Sequence, residues 1–263
     1  MKNYHLVVDV GNSNIVLGIF KEKKHQYDLV SSFRLVTPSF TTTDEMAIKI
    51  RDLLKFHKVT PEKIKRAVFI SVVPSLNYNI TKLLNLHFSI ETLEVRHNMF
   101  KDIFIDYKER EDLGIDRLVN LKAASILVGL PVIVIDFGTA TTIDVLDEKK
   151  HYLGGMIMPG ISISLEALVE RTSQLPSIDL QKPTKLLGKS TKESMQNGIF
   201  FLTSHGINNI LESIIEKHFA NQQVQIIYTG GFSSFITQNT KWKQHVIPSL
   251  TLVGGKILLD EFK

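Results

Sequence analysis

The sequence predicts an α/β protein made of two similar lobes. A short apolar run that ends in Asp-x-Gly-polar occurs twice, at residues 7–14 and 134–141, and a second strand-like run follows each copy. The two aspartates, Asp9 and Asp136, lie about half the chain length apart. A hydrophobic fraction of 43% supports packed cores in both halves. Duplicated halves that each carry a polar turn suggest a nucleotide held in a cleft between two lobes.

The first half is predicted to have the element order β-β-β-α-β-α-β. Its first two strands form a hairpin around the first Asp-x-Gly turn. A helix capped by Thr43 follows the third strand, because Met46, Ile50 and Leu53 recur at helical spacing. The predicted strands span residues 4–10, 15–20, 29–35, 67–73 and 90–95, and a second helix spans 75–86.

The second half is predicted to repeat this pattern after a connector helix over residues 114–128, which ends before Gly129 and Pro131. Its strands are expected at residues 132–136, 142–146, 152–158 and 225–228, and its helices at 161–170 and 192–217. The polar, proline-containing span 172–189 predicts an ordered loop. We expect an N-terminal lobe of residues 1–115 and a unit of residues 116–263 that holds the connector helix and the C-terminal lobe.

The composition argues against several classes of protein. Lys and Arg total 31 and Asp and Glu total 27, a formal net charge of +4 that is too small for a basic nucleic-acid-binding domain. Cysteine does not occur, which excludes disulfides, thiolate metal sites and cysteine nucleophiles. Asp9 interrupts the first apolar stretch, and no apolar run approaches the roughly 20 residues that cross a bilayer. We expect a cytoplasmic protein that binds neither nucleic acid nor membrane.

The two Asp-x-Gly turns have a chemistry suited to phosphate. The backbone N–H groups of a tight turn form a concavity for anions, and glycine lets the backbone approach a ligand closely. A carboxylate beside a bound phosphate usually holds a cation. Such turns also arise for purely local reasons, but their repetition at matching places favours the functional interpretation. Short donors at the two turns are Asn12, Ser13, Asn14, Thr139, Thr141 and Thr142.

The start of the connector helix carries the candidate catalytic group. Gly114 and Ile115 precede Asp116 and Arg117. In one interpretation Asp116 only caps the helix and Arg117 is solvated. In the other, Asp116 accepts a proton from a substrate hydroxyl as that oxygen attacks phosphorus, and Arg117 pairs with an anionic group of the substrate.

Two weaker motifs also have two interpretations. Gly230 and Gly231 form either a plain turn or a flat surface against which an adenine ring can lie. Thr191 lies in a Gly-Lys-Ser-Thr string in which Ser190 or Thr191 can cap a helix. This string is not a Walker A site, because Pro183 stands where that motif needs its first glycine.

Together these motifs resemble the type III pantothenate kinase family. The matching segments occur in the family's order and cover nearly the whole chain, at residues 9–14, 114–117, 136–142, 154–160, 190–198 and 228–231. The resemblance implies the superfamily of sugar kinases, Hsp70 and actin, with two ribonuclease H-like lobes and ATP between them. It also implies ATP-dependent phosphorylation of pantothenate, the first committed step toward coenzyme A.

The resemblance also assigns roles to single residues. Those that would bind ATP are Asp9, Val10, Gly11, Asn12, Ser13, Asn14, Ile15, Val16 and Thr139. Those that would bind pantothenate are Tyr107, Gly114, Ile115, Asp116, Arg117 and Thr191. Asp116 would be the proton acceptor and Asp136 would bind a monovalent cation, potassium or ammonium, while Mg²⁺ would accompany ATP. Family members are usually homodimers, so a homodimer is expected.

Two other functions remain open for these residues. One is a sugar or other small-metabolite kinase of the same fold, and the other is a non-catalytic regulatory protein that kept the fold. Asp116 argues against the second, because a pure binding protein has no need of a general base there.

Overall fold

The structure, a computed structural model, describes residues 4–23, 25–220, 222–242 and 244–262. The strands are β1 (Tyr4–Val10), β2 (Asn14–Lys21), β3 (Leu29–Val36), β4 (Ile64–Ser71), β5 (Glu91–Glu94), β6 (Phe104–Ile105), β7 (Val132–Phe137), β8 (Ala140–Leu146), β9 (His151–Pro159), β10 (Gln225–Thr229) and β11 (His245–Val246). The helices are α1 (Thr43–Phe56), α2 (Pro74–Lys82), α3 (Ile115–Leu127), α4 (Ile161–Glu170), α5 (Thr191–His218), α6 (Ser233–Ile236) and α7 (Leu250–Glu261).

The two halves contain mixed sheets of the same order. The first sheet is β3-β2-β1-β4-β5, and the second is β9-β8-β7-β10-β11 with β6 added beside β9. Strands β1 to β3 of the first sheet pair antiparallel, and so do β7 to β9 of the second. Strands β4 and β5 add to the first sheet in parallel, and β10 and β11 add to the second in the same way. The predicted α/β class with a repeated pattern is therefore confirmed.

The chain divides into two compact units that do not coincide with a single cut in the sequence. The first unit contains Met1–Lys101, Tyr107–Ala123 and Leu250–Lys263, and the second contains Asp102–Asp106 and Ala124–Ser249. The expected division at residue 115/116 differs from these units in three places, one of which is the short segment Asp102–Asp106 in the second unit. The first part of α3 and the whole of α7 belong with the N-terminal sheet.

The first unit is built around the apolar face of β1, β2 and β4. Buried side chains from these strands pack with Ile50 and Leu54 of α1 and with Leu83 and Leu84 beyond α2. Helix α1 is capped by Thr42, whose Oγ1 accepts from the Glu45 N–H at 3.2 Å, while the Glu45 carboxylate accepts from the Thr42 N–H at 2.9 Å. This reciprocal capping box corrects the predicted cap by one residue, from Thr43 to Thr42.

Helix α7 packs on the other face of the same sheet, and the sequence analysis did not predict it. A Cβ atom on Gly255 would lie 2.5 Å from Val7 Cγ1 and 2.9 Å from Ile70 Cδ1. A Cβ atom on Gly254 would lie 2.7 Å from the Val119 carbonyl oxygen of α3. The two adjacent glycines therefore let α7 approach both the sheet and α3 at backbone distance.

The second unit has its core between the β7, β8 and β10 face and helices α4 and α5. The predicted helix at 192–217 is confirmed as α5, and the predicted loop at 172–189 contains neither helix nor strand. The predicted helix at 75–86 is shorter, because α2 ends at Lys82 and continues as a π-helical turn over Leu83–His87. No helix among the described residues is long and apolar enough to cross a membrane.

Candidate active site

The first Asp-x-Gly turn joins β1 to β2. Asp9 is the last residue but one of β1 and is half-buried, while Asn12 and Ser13 are exposed. The Gly11 N–H closes the turn on the Asn14 carbonyl oxygen at 3.0 Å. Val10 and Ile15 have side chains in the core. Those two expected ATP-binding residues can therefore offer a ligand only their backbone groups.

The second turn joins β7 to β8 and is one residue shorter. Here the Gly138 N–H donates to the Ala140 carbonyl oxygen at 3.1 Å, and Thr139 is exposed at the tip. Asp136 again precedes the end of its strand, as Asp9 does, and stands opposite Thr142 in the antiparallel ladder. Paired residues project from the same face of a sheet, so the Thr142 side chain shares a face with the Asp136 carboxylate. The two turns are related but not equivalent.

Two glycines from distant segments pack against the second turn. A Cβ atom on Gly160, at the start of α4, would overlap the Thr139 carbonyl oxygen and lie 2.7 Å from that of Gly138. A Cβ atom on Gly230, which follows β10, would overlap Asp136 Oδ1 and lie 2.6 Å from the Phe137 carbonyl oxygen. Only residues without side chains allow these approaches. The sequence motifs at 154–160 and 228–231 thus meet the motif at 136–142.

The turn at Gly230 is shaped for this position. Gly230 has φ of +85°, which favours glycine. The Gly230 carbonyl oxygen accepts from Ser233 Oγ at 2.7 Å and from the Ser233 N–H at 3.2 Å. Just before it, burial raises the pKa of Tyr228 to about 12, so this phenol stays protonated and bonds Thr240 Oγ1 at 3.0 Å. Tyr228 is therefore a structural residue.

The candidate base lies in the first turn of α3. Asp116 is the second residue of the helix and is half-buried, and its Oδ1 accepts from the Arg117 N–H at 2.8 Å. A Cβ atom on Gly114 would lie 2.6 Å from the same oxygen. Arg117 is 7% exposed. The interpretation of Asp116 as a helix cap beside a solvated arginine is therefore wrong: the helix begins before Asp116, and Arg117 is buried.

Two contacts that sequence reasoning missed hold the segment before α3. His97 Nε2 lies 2.8 Å from the Leu113 carbonyl oxygen, immediately before Gly114. A carbonyl oxygen can only accept, so Nε2 carries the proton. An Arg110 guanidinium nitrogen donates to the Phe100 carbonyl oxygen at 2.6 Å. Tyr107 is exposed on this segment. No local sequence pattern predicts these contacts, because each joins residues ten or more positions apart.

Thr191 is the first residue of α5 and is exposed. Ser190 caps the helix, with its Oγ accepting from the Glu193 N–H at 3.2 Å, and the Glu193 carboxylate accepts from the Lys189 N–H at 2.6 Å. The predicted capping function of this string is confirmed for Ser190. Thr191 therefore has no capping role and can face a ligand.

The candidate residues fall into two groups, one in each unit. The first unit holds residues 9–16, Tyr107 and residues 114–117, and the second holds Asp136, Thr139 and Thr191. Within the described ranges, no group of three or more His, Asp or Glu side chains forms a metal-binding cluster. The oxygens of Asp136 and Thr142 are hard donors of the type that bind K⁺ or Mg²⁺ through carboxylate, hydroxyl and water. Two such side chains suit a cation whose remaining ligands come from a bound substrate rather than from the protein alone.

The repeated sheet and its two polar turns define the actin-like class of α/β proteins, to which sugar kinases belong. A ROK family glucokinase from Streptomyces griseus aligns with a TM-score of 0.50 and 11% identity, covering 96% of this chain and 97% of that one. A conserved protein of the Baf family of transcriptional activators from Campylobacter jejuni aligns with a TM-score of 0.59 and 21% identity, covering 97% and 98%. At these identities the likeness shows the fold alone.

Within that class the family is defined by sequence. The family description of type III pantothenate kinase matches residues 5–213. A relative from Finegoldia magna, named type III pantothenate kinase, is 40% identical over 261 residues, which are 99% of this chain and 98% of the relative. The chain belongs to the type III pantothenate kinase family.

Proposed function

We propose that this chain transfers the γ-phosphoryl group of ATP to the primary hydroxyl of pantothenate, with Asp116 as the general base. The observation that carries the proposal is the position of Asp116. Its carboxylate is half-buried at the start of α3, one oxygen is oriented by the Arg117 N–H at 2.8 Å, and the Arg117 side chain beside it is buried. A carboxylate fixed in this way can accept a proton without first having to be positioned.

The transfer then follows the usual course of phosphoryl chemistry. The pantothenate oxygen forms a bond to the γ-phosphorus, the bond from that phosphorus to the β-γ bridging oxygen breaks, and ADP leaves. The hydroxyl proton goes to Asp116. Arg117 supplies positive charge for the substrate carboxylate, and Tyr107 and Thr191 are proposed as further pantothenate contacts.

The turns are proposed to hold ATP by their backbones. Residues 9–16 form the main phosphate site: the Gly11 N–H closes the turn, and the exposed residues Asn12 and Ser13 offer backbone groups and short side chains. Thr139, exposed at the tip of the second turn, is a further ATP contact. Asp136 and Thr142 would hold a monovalent cation, and Mg²⁺ would be bound with the nucleotide. These cations supply charge that offsets the phosphates as negative charge is redistributed in the transition state.

An assay with ATP and pantothenate in potassium and in sodium buffers tests the reaction and the cation role together. Formation of phosphopantothenate in potassium, with little in sodium, is expected. Equal rates in both buffers would remove the cation role of Asp136 but leave the kinase intact. A panel of sugars and other hydroxyl acceptors distinguishes a different small-metabolite kinase, and ATP turnover that pantothenate does not stimulate would favour a regulatory protein.

A homodimer, located in the cytoplasm, is proposed, and exposed apolar side chains on both faces of β9 support the dimer: Leu153 and Met156 lie on the α5 side and Ile157 projects from the opposite face. Leu153, Met156 and Ile157 of β9 are 43%, 44% and 67% exposed. Three large apolar side chains within five residues of one strand favour burial against another surface. Sedimentation equilibrium should give twice the monomer mass, and Ile157→Lys should lower it to the monomer mass. A wild-type monomer at assay concentrations would contradict the dimer.

A further inference from the structure

The residue that follows β3 contacts the phosphate turn twice. The β2–β3 ladder ends with Asn14 opposite Val36, so Thr37 extends beyond it alongside the turn. The Thr37 N–H donates to the Ser13 carbonyl oxygen at 3.0 Å. The Thr37 hydroxyl donates to the Gly11 carbonyl oxygen at 2.6 Å. Thr37 therefore hydrogen-bonds to both sides of the turn, although it belongs to none of the sequence motifs.

These contacts decide which polar groups the turn presents. The carbonyl oxygens of Gly11 and Ser13 accept from Thr37, and that of Asn14 accepts from the Gly11 N–H. Carbonyl oxygens directed at a phosphate would repel it, whereas N–H groups attract it. Because Thr37 and the turn itself engage these three carbonyls, the turn is held in the form that suits an anion.

We propose that Thr37 is a positioning residue for the ATP phosphates: its hydroxyl holds the Gly11 carbonyl away from the ligand and fixes the turn before ATP arrives. This inference rests on the proposed function only for the identity of the nucleotide. The hydroxyl is the critical group, because the backbone bond from Thr37 to Ser13 survives any side-chain substitution other than proline. Without the hydroxyl, the Gly11 peptide can rotate, and part of the binding free energy must then order the turn.

Three variants isolate this role. Thr37→Val removes the hydroxyl at nearly constant shape, and Thr37→Ser keeps it. Thr92→Val is the matched control, because Thr92 Oγ1 also donates to a backbone carbonyl of the same unit, that of Ile90 at 3.0 Å, on β5. Each variant is measured for KM of ATP, KM of pantothenate, kcat, urea unfolding and calorimetric binding of a non-hydrolysable ATP analogue.

Thr37→Val is expected to raise the KM of ATP and the analogue Kd by about 3- to 10-fold, the range for one neutral hydrogen bond. The KM of pantothenate should stay within about twofold, Thr37→Ser should restore most of the affinity, and Thr92→Val should leave it unchanged. An unchanged analogue Kd in Thr37→Val overturns the proposal, as does an equal loss in Thr92→Val. If the wild-type protein does not phosphorylate pantothenate, the proposed reaction is wrong, but binding of the ATP analogue still tests the role of Thr37.

Discussion

Gly230 lies directly against the carboxylate of Asp136. The parallel pairing of β10 with β7 puts Thr229 opposite Asp136, and the chain then turns at Gly230 with φ of +85°. Any Cβ atom at this position would overlap Asp136 Oδ1. The first glycine of the Gly-Gly pair is thus fixed by the carboxylate beside it, a more specific role than that of a flat surface for adenine.

Gly230→Ala should therefore disturb the proposed cation site. The positive φ alone costs about 1–2 kcal/mol for a residue with a side chain, and the overlap must also push the Asp136 carboxylate aside. We expect lower stability and a higher potassium concentration for half-maximal activity. Gly129→Ala is the control, because Gly129 has φ of +88° with no atom within 4 Å of its Cβ position. It should lose stability but keep its potassium dependence; a similar potassium shift in both variants would contradict the account.

Gly255→Ala should destabilise the first unit. Its new methyl group would meet Val7 Cγ1 at 2.5 Å, and overpacking of this kind costs about 1–3 kcal/mol. Gly198→Ala is the opposite case: Gly198 lies within α5 with open space at its Cβ position, so alanine should stabilise by about 0.4–1 kcal/mol. Urea unfolding measures both. Equal effects of the same sign would show that α7 does not pack as described.

His5 should make the first unit sensitive to acid. Burial, followed by the charge of Lys256, lowers the pKa of His5 below its ordinary 6.5, with Arg66 acting in the same direction and Asp260 and Glu22 opposing it. The unfolded chain then binds a proton more readily than the folded one. This contribution to stability is complete above about pH 6.5 and is lost as pH falls toward the folded pKa. His5→Gln should flatten the fall in unfolding free energy between about pH 7.5 and 5.5; an unchanged slope would contradict it.

Helix α7 buries the charged side chain of Lys256, which is stabilised there by polar partners. Its side chain is 0% exposed, and its Nζ bonds Asp260 Oδ1 at 2.6 Å and the Lys23 carbonyl oxygen at 3.1 Å. Lys256→Met should cost about 3–5 kcal/mol, because it leaves Asp260 buried without its partner. The double variant Lys256→Met/Asp260→Leu should recover much of that loss in urea unfolding. A single variant as stable as the wild type would contradict the role of this pair.

The sequence predicted features whose causes are local. Two apolar runs on either side of the first Asp-x-Gly turn predicted the hairpin of β1 and β2, and the repetition of the turn predicted two similar halves, which the common strand order confirms. A helix cap at Ser190 or Thr191 was predicted, and Ser190 is the cap; such a prediction is possible because capping depends on residues only three apart. These signals do not need knowledge of distant contacts.

Features with non-local causes were missed. Helix α7 contains two glycines that lower its helix propensity. They are needed because the helix packs closely against Val7 and Val119, which are far away in sequence. Thr37 belongs to no local sequence motif, because its partner Gly11 lies 26 positions earlier. Arg117 was open to a solvated interpretation, since burial depends on tertiary packing.

The rate of Asp116→Asn tests the central claim most directly, with Asp112→Asn as the matched control on the exposed surface nearby. Asparagine keeps the shape of the side chain and its acceptor for the Arg117 N–H, but it cannot take up the hydroxyl proton. We predict that kcat for pantothenate phosphorylation falls by about 10²–10⁴ in Asp116→Asn, with urea unfolding unchanged and the control at the wild-type rate. A folded Asp116→Asn enzyme that phosphorylates pantothenate at the wild-type rate would contradict the account.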